Sequence, residues 1–140
     1  MAKLNVTRLE DIIVARVRAE GGPAGPKRAF DELESRMSSL HGRKMYGVFY
    51  GSGPEETYYA CVKLDDEHED DMGFERGTIP GGRYARRRVD DWAGNEEQLA
   101  KRFEELEKHC VEAGLELDPD RPGIEFYRSM RDMVIMVPVK

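Results

Sequence analysis

The chain has 140 residues, a formal net charge of −6 and a pI near 5.2. This is the length of one domain, 1–140, that buries roughly 68–70 % of the surface its unfolded chain would expose. The acidic balance argues against a general nucleic-acid surface and direct DNA binding, because phosphates select Lys and Arg clusters that acids do not outweigh. The longest apolar run, Met133 to Val139, is far short of the ~20 residues that span a bilayer, and the polar N-terminus has no signal-peptide apolar region. A soluble, cytoplasmic protein with no membrane partner is expected.

After a polar lead, Ile12 to Arg18 reads as a strand, and Glu20 to Gly25 as a turn-rich break before Pro26, a fitting first residue of a helix. Phe30, Leu33, Met37 and Leu40 follow at spacings of three and four, an apolar stripe that stops at His41-Gly42. Tyr46 to Gly51 and Thr57 to Leu64 read as two strands joined by residues 52–56. The stretch from Asp65 to Asp71 is acidic apart from His68 and reads as a solvated connector, lacking the glycine and spacing of a calcium loop.

Beyond the connector the pattern starts again. Gly82 to Val89 reads as a strand containing Arg86-Arg87-Arg88, taken as a solvated strand edge or a partner for acids. Asn95 stands as helix cap with Gln98 in the capping-box position. Leu99, Phe103, Leu106, Cys110 and Ala113 form the inner stripe of this helix; Glu97 with Lys101 and Glu104 with Lys108 support its outer face, and Gly114 ends it. Cys61 and Cys110 read as small buried hydrophobes, and His109 beside Cys110 lacks a second pair at metal-ligand spacing. No metal and no cofactor is expected. His41, His68 and His109 have no nucleophile beside them in sequence, so no Ser or Cys triad is supported.

The last two strands hold the anomaly. Ile124 to Tyr127 and Met133 to Val139 are apolar runs, antiparallel across the loop Ser129 to Asp132, with one face packed on a helix and the other lining a cavity. Glu125 lies inside the first. An ionised carboxylate in an apolar surround is costly unless something pairs with it. Alternation sets Glu125 on the face of Tyr127, away from Ile124 and Phe126. Two explanations stand: a structural pair with an arginine such as Arg83 or Arg128, or a binding site. Trp92, on the loop before the second helix, either plugs a gap or walls a ligand pocket.

The two halves align. Val14 to Arg18 matches Tyr84 to Arg88, Phe30 to Glu34 matches Phe103 to Glu107, Phe49-Tyr50 falls on Phe126-Tyr127, and Tyr59 to Leu64 falls on Val134 to Val139, with the offset drifting from 70 to 77. The expectation is an α+β fold: a tandem duplication of a β-α-β-β module, repeats about 10–66 and 74–140, with antiparallel sheets, two main helices and a central pocket between the halves. In this register Glu125 falls on Val48 and Tyr127 on Tyr50. A carboxylate in only one copy points to a site more than to the core.

Ile79-Pro80-Gly81-Gly82-Arg83-Tyr84-Ala85, Arg121-Pro122-Gly123-Ile124-Glu125-Phe126-Tyr127, the closing Val137-Pro138-Val139 and Gly25-Pro26 before the first helix together resemble the gyrase-inhibitor-like (GyrI-like) effector-binding family over nearly the whole chain. The resemblance implies tandem modules around an aromatic pocket in which the glutamate matching Glu125 meets the ligand, often a lipophilic cation. It also implies that some free-standing members are hydrolases opening strained, cyclopropane-type rings of alkylating compounds. The sequence departs from the family where Ala93-Gly94-Asn95 replaces the Gly-Pro before the second helix, and it carries no helix-turn-helix segment. The leading expectation is a free-standing module binding a hydrophobic or cationic small molecule, with Glu125 at the polar centre of a pocket bordered by Trp92, Tyr127, Tyr50 and Tyr84. The alternatives are a hydrolase using Glu125 as catalytic acid or base in the same pocket, and a protein-binding inhibitor of a topoisomerase acting through the acidic surface.

Overall fold

A computed structural model of the chain describes residues 4–21, 24–36, 43–51, 56–65, 69–90, 92, 98–129 and 131–140. The expected helix positions Met37, Leu40 and His41-Gly42, the cap Asn95 with Glu97, the linker 52–55 and His68 lie outside these residues. In chain order the elements are β1 (Asn5–Leu9), β2 (Ile12–Arg18), α1 (Gly25–Arg36), β3 (Met45–Tyr50), β4 (Thr57–Lys63), β5 (Glu75–Ile79), β6 (Gly82–Asp90), α2 (Leu99–Glu112), β7 (Gly123–Tyr127) and β8 (Asp132–Pro138). The fold is α+β: two helices and one curled antiparallel sheet in the order β1-β6-β8-β7-β3-β4-β2-β5.

Six of the strands are those the apolar patterning predicts, whereas β1 and β5 are additional. Their sequences, NVTRL and ERGTI, are mostly polar, and most of their side chains are exposed or half-buried. An edge strand with water on one side needs no apolar alternation, so it leaves little trace in the pattern. Each short strand crosses over: β1 precedes β2 in the chain but pairs with β6, and β5 precedes β6 but pairs with β2. The strand order reads the same from either end once β1 is exchanged for β5, β2 for β6, β3 for β7 and β4 for β8. The Gly81 N–H donates to Asp11 Oδ1 at 2.6 Å, tying together the turns that follow β1 and β5.

The helices are laid down by their stripes. Ala29 and Leu33 of α1 pack on Ala15, Ala60, Val62 and Leu64, while Phe103, Leu106 and Cys110 of α2 pack on Ala85, Met133, Ile135 and Val137. Gln98 occupies the N-cap of α2 and gives no side-chain cap bond, while Asn95, its partner in the predicted capping box, lies outside the described residues. Its end matches the expected stop at Gly114. Gly114 takes φ +83°, its N–H donates to Val111 O at 3.0 Å, and the Leu115 N–H reaches Cys110 O at 2.9 Å. This closing arrangement suits glycine, which has no Cβ to oppose a left-handed conformation.

The helices cover one face of the sheet, and the other face curls around a third cluster with Val14, Tyr46, Val48, Ile79, Tyr84, Ile124, Val134 and Met136. The central pairing of β3 with β7 sets Met45 beside Tyr127, Gly47 beside Glu125 and Phe49 beside Gly123. These residues share the helix-covered face, since directly opposed residues point the same way. The expected register therefore slips by one. Val48 and Tyr50 point to the opposite face from Glu125 and Tyr127; the residues of β3 that answer those two are Gly47 and Phe49. Ring packing agrees: Tyr127 packs edge-on against Phe30 of α1 at 5.2 Å, and Phe49 against Phe103 of α2 at 4.8 Å. A one-residue slip turns every side chain over. The expected cavity on the face of β7 away from the helices is instead filled core, where Phe126 stacks on Tyr46 at 4.9 Å.

Candidate functional site

α1 and α2 pack on the flanking strands and leave the central pair β3 and β7 between them, under a broad open groove of about 1760 Å³. Among the described residues Met45, Phe49, Tyr58, Gly123, Glu125 and Tyr127 line it, with Phe30 and Phe103 from the two helices and Trp92 from the loop before α2. Glu125 is 8 % exposed and is the one buried charged side chain among the described residues. The Tyr58 and Tyr127 hydroxyls each lie within hydrogen-bond distance of its Oε1, at 2.7 Å, and their two hydroxyl oxygens stand 3.0 Å apart.

Tyr58 comes from β4, where it pairs with Phe49, and reaches diagonally across β3 to Glu125. It passes over Gly47. A Cβ at that position would collide with the Tyr58 hydroxyl and with Glu125 Oε1, so the missing side chain makes the contact possible. Burial holds the Glu125 carboxyl above the usual carboxylate range, although the hydrogen bonds from Tyr58 and Tyr127 pull it down; the charge of Glu56 adds to the rise. Burial, and then the Glu125 charge, push the Tyr58 phenol well above its ordinary value.

No arginine or lysine among the described residues pairs with Glu125. Arg83 donates instead to Lys140 O at 2.8 Å, and Arg128 lies 3.9 Å from Asp132. Trp92 is held in place: its indole N–H donates to Ser129 O at 2.9 Å and its ring meets Tyr127 edge-on at 5.0 Å. Tyr127 thus lies between Phe30 and Trp92.

Two expected pocket residues are elsewhere. Tyr50 packs against the cluster on the opposite face, and the fully buried Tyr84 belongs to it, donating its hydroxyl to Pro80 O at 2.6 Å. Tyr58 takes their place, and strand-interior Gly47 was its sequence signal, since such a glycine marks a close approach by another group. Arg121, at one end of the groove, has a structural task. It donates to Asp118 Oδ2 at 2.9 Å, Val139 O at 2.6 Å and Gly81 O at 3.4 Å, with its guanidinium 4.9 Å from the centre of the Tyr84 ring.

The groove is rich in carboxylates. Glu34, Glu56, Glu104 and Glu107 line it with no ion-pair partner among the described residues. The expected Glu104–Lys108 pair is not formed; on the outer face of α2 Arg102 meets Glu105 at 3.3 Å instead. Burial, with the nearby Glu104, raises the Glu107 carboxyl. Away from the groove, Cys61 and Cys110 are buried free thiols, Cys61 pushed up to about 12 by burial. His109 Nδ1 lies 3.0 Å from Arg87, and Arg88 meets Asp132 at 3.0 Å. No helix among the described residues is long and apolar enough to cross a membrane.

No protein-family model and no curated protein matches the sequence. Solved structures do match the fold. The C-terminal domain of EcmrR superposes with TM-score 0.76 at 11 % identity, covering 99 % of this chain and 97 % of that one. SAV2435 bound to tetraphenylphosphonium gives 0.65 at 13 %, covering 99 % and 94 %. A hydrolase from Listeria innocua gives 0.66 at 14 %, covering 99 % and 92 %. The chain has the fold of these proteins over its whole length.

Proposed function

We propose that this protein is a small-molecule-binding module of the GyrI-like kind, and that hydrophobic or lipophilic-cationic ligands bind in the groove between α1 and α2 with Glu125 as their counter-charge. The observation that carries this reading is the buried Glu125, held by two tyrosine hydroxyls and by no cation among the described residues. A structural carboxylate at such depth normally has a basic partner, since a buried unpaired charge is costly. Here the positive charge comes with the ligand. Aromatic faces suit a cation whose charge is spread over apolar groups, each contributing ~0.5–2 kcal/mol; Phe30, Tyr58, Trp92 and Tyr127 supply them. The tetraphenylphosphonium in the SAV2435 structure is such a cation.

Fluorescence of Trp92, the sole tryptophan, and calorimetry with tetraphenylphosphonium test the reading. Binding should perturb the emission, and Glu125→Gln should weaken it at least tenfold. Equal affinity in wild type and Glu125→Gln would refute the assignment of Glu125.

A second reading has its own support, because a protein of this fold is described as a hydrolase. Tyr58 and Tyr127 fix Glu125 Oε1 as they would a general acid or base. Under it, Glu125→Gln keeps affinity for a neutral strained-ring substrate and loses turnover; retention of both by the variant would remove this reading.

A further inference from the structure

We propose that cation binding in the groove releases one proton from Glu125, because the oxygens Glu125 Oε1, Tyr58 Oη and Tyr127 Oη form a ring of contacts that only a protonated carboxyl completes. The inference rests on the cation-binding reading and adds to it a proton. The three oxygens meet pairwise at 2.7, 2.7 and 3.0 Å, and each contact needs one hydrogen between its oxygens. The two hydroxyls supply two. With Glu125 ionised both are directed at Oε1, which leaves Tyr58 Oη and Tyr127 Oη facing each other with no hydrogen between them. With Glu125 protonated, Oε1–H donates to one tyrosine, that tyrosine to the other, and the second back to Oε1, as in a cyclic water trimer.

The surroundings favour the same form. Burial raises the Glu125 carboxyl, and Glu56, just before β4, adds its negative field. α1 faces the groove with Lys27, Asp31 and Glu34, of which Lys27 and Asp31 pair with each other at 3.1 Å; α2 faces it with Glu104 and Glu107. The arginines at the rim, Arg43, Arg121 and Arg128, are turned to Glu69, Asp118 and Asp132. None of these cations reaches Glu125. A cation seated against Oε1 favours the carboxylate, so the O–H bond breaks, its electron pair stays on oxygen, and the proton passes to solvent.

Calorimetry of wild-type protein with tetraphenylphosphonium, in paired buffers of different ionisation enthalpy, counts the protons released. Release should approach one per cation on the acid side of the raised Glu125 titration and fall toward zero as pH rises through it, with affinity rising up to tenfold per pH unit over the range of release. Glu125→Gln should bind more weakly with no release. In case that variant fails to fold, the ¹³C carboxyl resonance of Glu125 in wild-type protein is the second measurement: it should titrate above the ordinary glutamate value and move to the ionised shift when the cation is added. Binding without release at any pH, a resonance the cation does not move, or release that persists in Glu125→Gln would overturn the coupling while leaving the binding reading intact. Failure of wild type to bind tetraphenylphosphonium would overturn both.

Discussion

Gly47→Ala is the smallest change that reaches the centre of the site. The new Cβ would occupy the space of the Tyr58 hydroxyl and of Glu125 Oε1, so at least one of them must move. Tyr58 is fixed by its own strand pairing with Phe49, and Glu125 by pairing on both sides, with Gly47 and with Ile135. Relief by a small backbone shift is therefore blocked. The variant loses the Tyr58 hydrogen bond to Oε1, worth about 1.5–3 kcal/mol at a pH where the carboxyl is ionised, and carries an overpacking strain of about 1–3 kcal/mol. Against this, alanine in place of a strand glycine recovers about 0.5–1 kcal/mol. The net expectation is a loss of about 2–5 kcal/mol in urea unfolding, with m unchanged. Because the clash is chiefly with the Tyr58 hydroxyl, adding Tyr58→Phe should cost less than the sum of the two single changes. A Gly47→Ala protein within about 0.5 kcal/mol of wild type would show that Glu125 and Tyr58 are not held as described, since surface-like tolerance lies in that range.

Glu125→Gln should also change how stability depends on pH. The folded carboxyl lies above its unfolded value because of burial, so wild type binds more protons folded than unfolded between those two values. Its stability falls as pH rises from the ordinary glutamate pKa through the raised one, and the variant should lack that fall; thermal melts across the acid range decide it. Tyr50→Phe and Tyr84→Phe should leave tetraphenylphosphonium affinity within twofold of wild type by calorimetry, because both side chains lie on the other face; Tyr84→Phe alone should cost about 1 kcal/mol in urea unfolding through the lost bond to Pro80 O. Arg121→Lys should cost about 1–3 kcal/mol, since an ammonium cannot reproduce the fork that spans Asp118, Val139 and Gly81; an unchanged denaturation midpoint would refute the structural task given to Arg121.

The strands with apolar cores and both helix stripes were legible because each is a local signal, repeated every two or every three to four residues. Glu125 was legible for the same reason: a charge in an apolar run violates a local rule. What could not be read is non-local. Tyr58 reaches Glu125 across an intervening strand, and nothing within Thr57-Tyr58-Tyr59 says which tyrosine faces the groove. Tyr59 in fact turns to the other face, under the Arg16 guanidinium at 4.2 Å. Tyr50 was assigned through an alignment one residue out of step on the central strands, and with side chains alternating, that error exchanged groove for core; Tyr84 was chosen for its aromatic ring alone, and β6 turns it to the core. The motif stretches around Pro80-Gly81, Arg121-Pro122 and Val137-Pro138-Val139 drew attention as a signature. Arg121 bonds all three together, so much of that signature secures the sheet at one end of the groove.

The sheet's two-fold strand order also explains why only one glutamate can stand at its centre. Gly47 and Glu125 face each other across the central pair, where opposed Cβ positions lie about 4.5–5.5 Å apart. A carboxylate at both would set two like charges side by side in a buried place, and one would have to stay protonated. A side chain of any size at position 47 would also bar Tyr58 from Oε1. The site therefore depends on breaking the symmetry that the sheet otherwise keeps: one strand supplies the charge, and its counterpart supplies the space through which a tyrosine from β4 holds that charge in place. Under the proposed cation-binding function, a single central carboxylate suits a ligand with one delocalised positive charge better than a dication, whose second charge would have to reach the carboxylates at the rim.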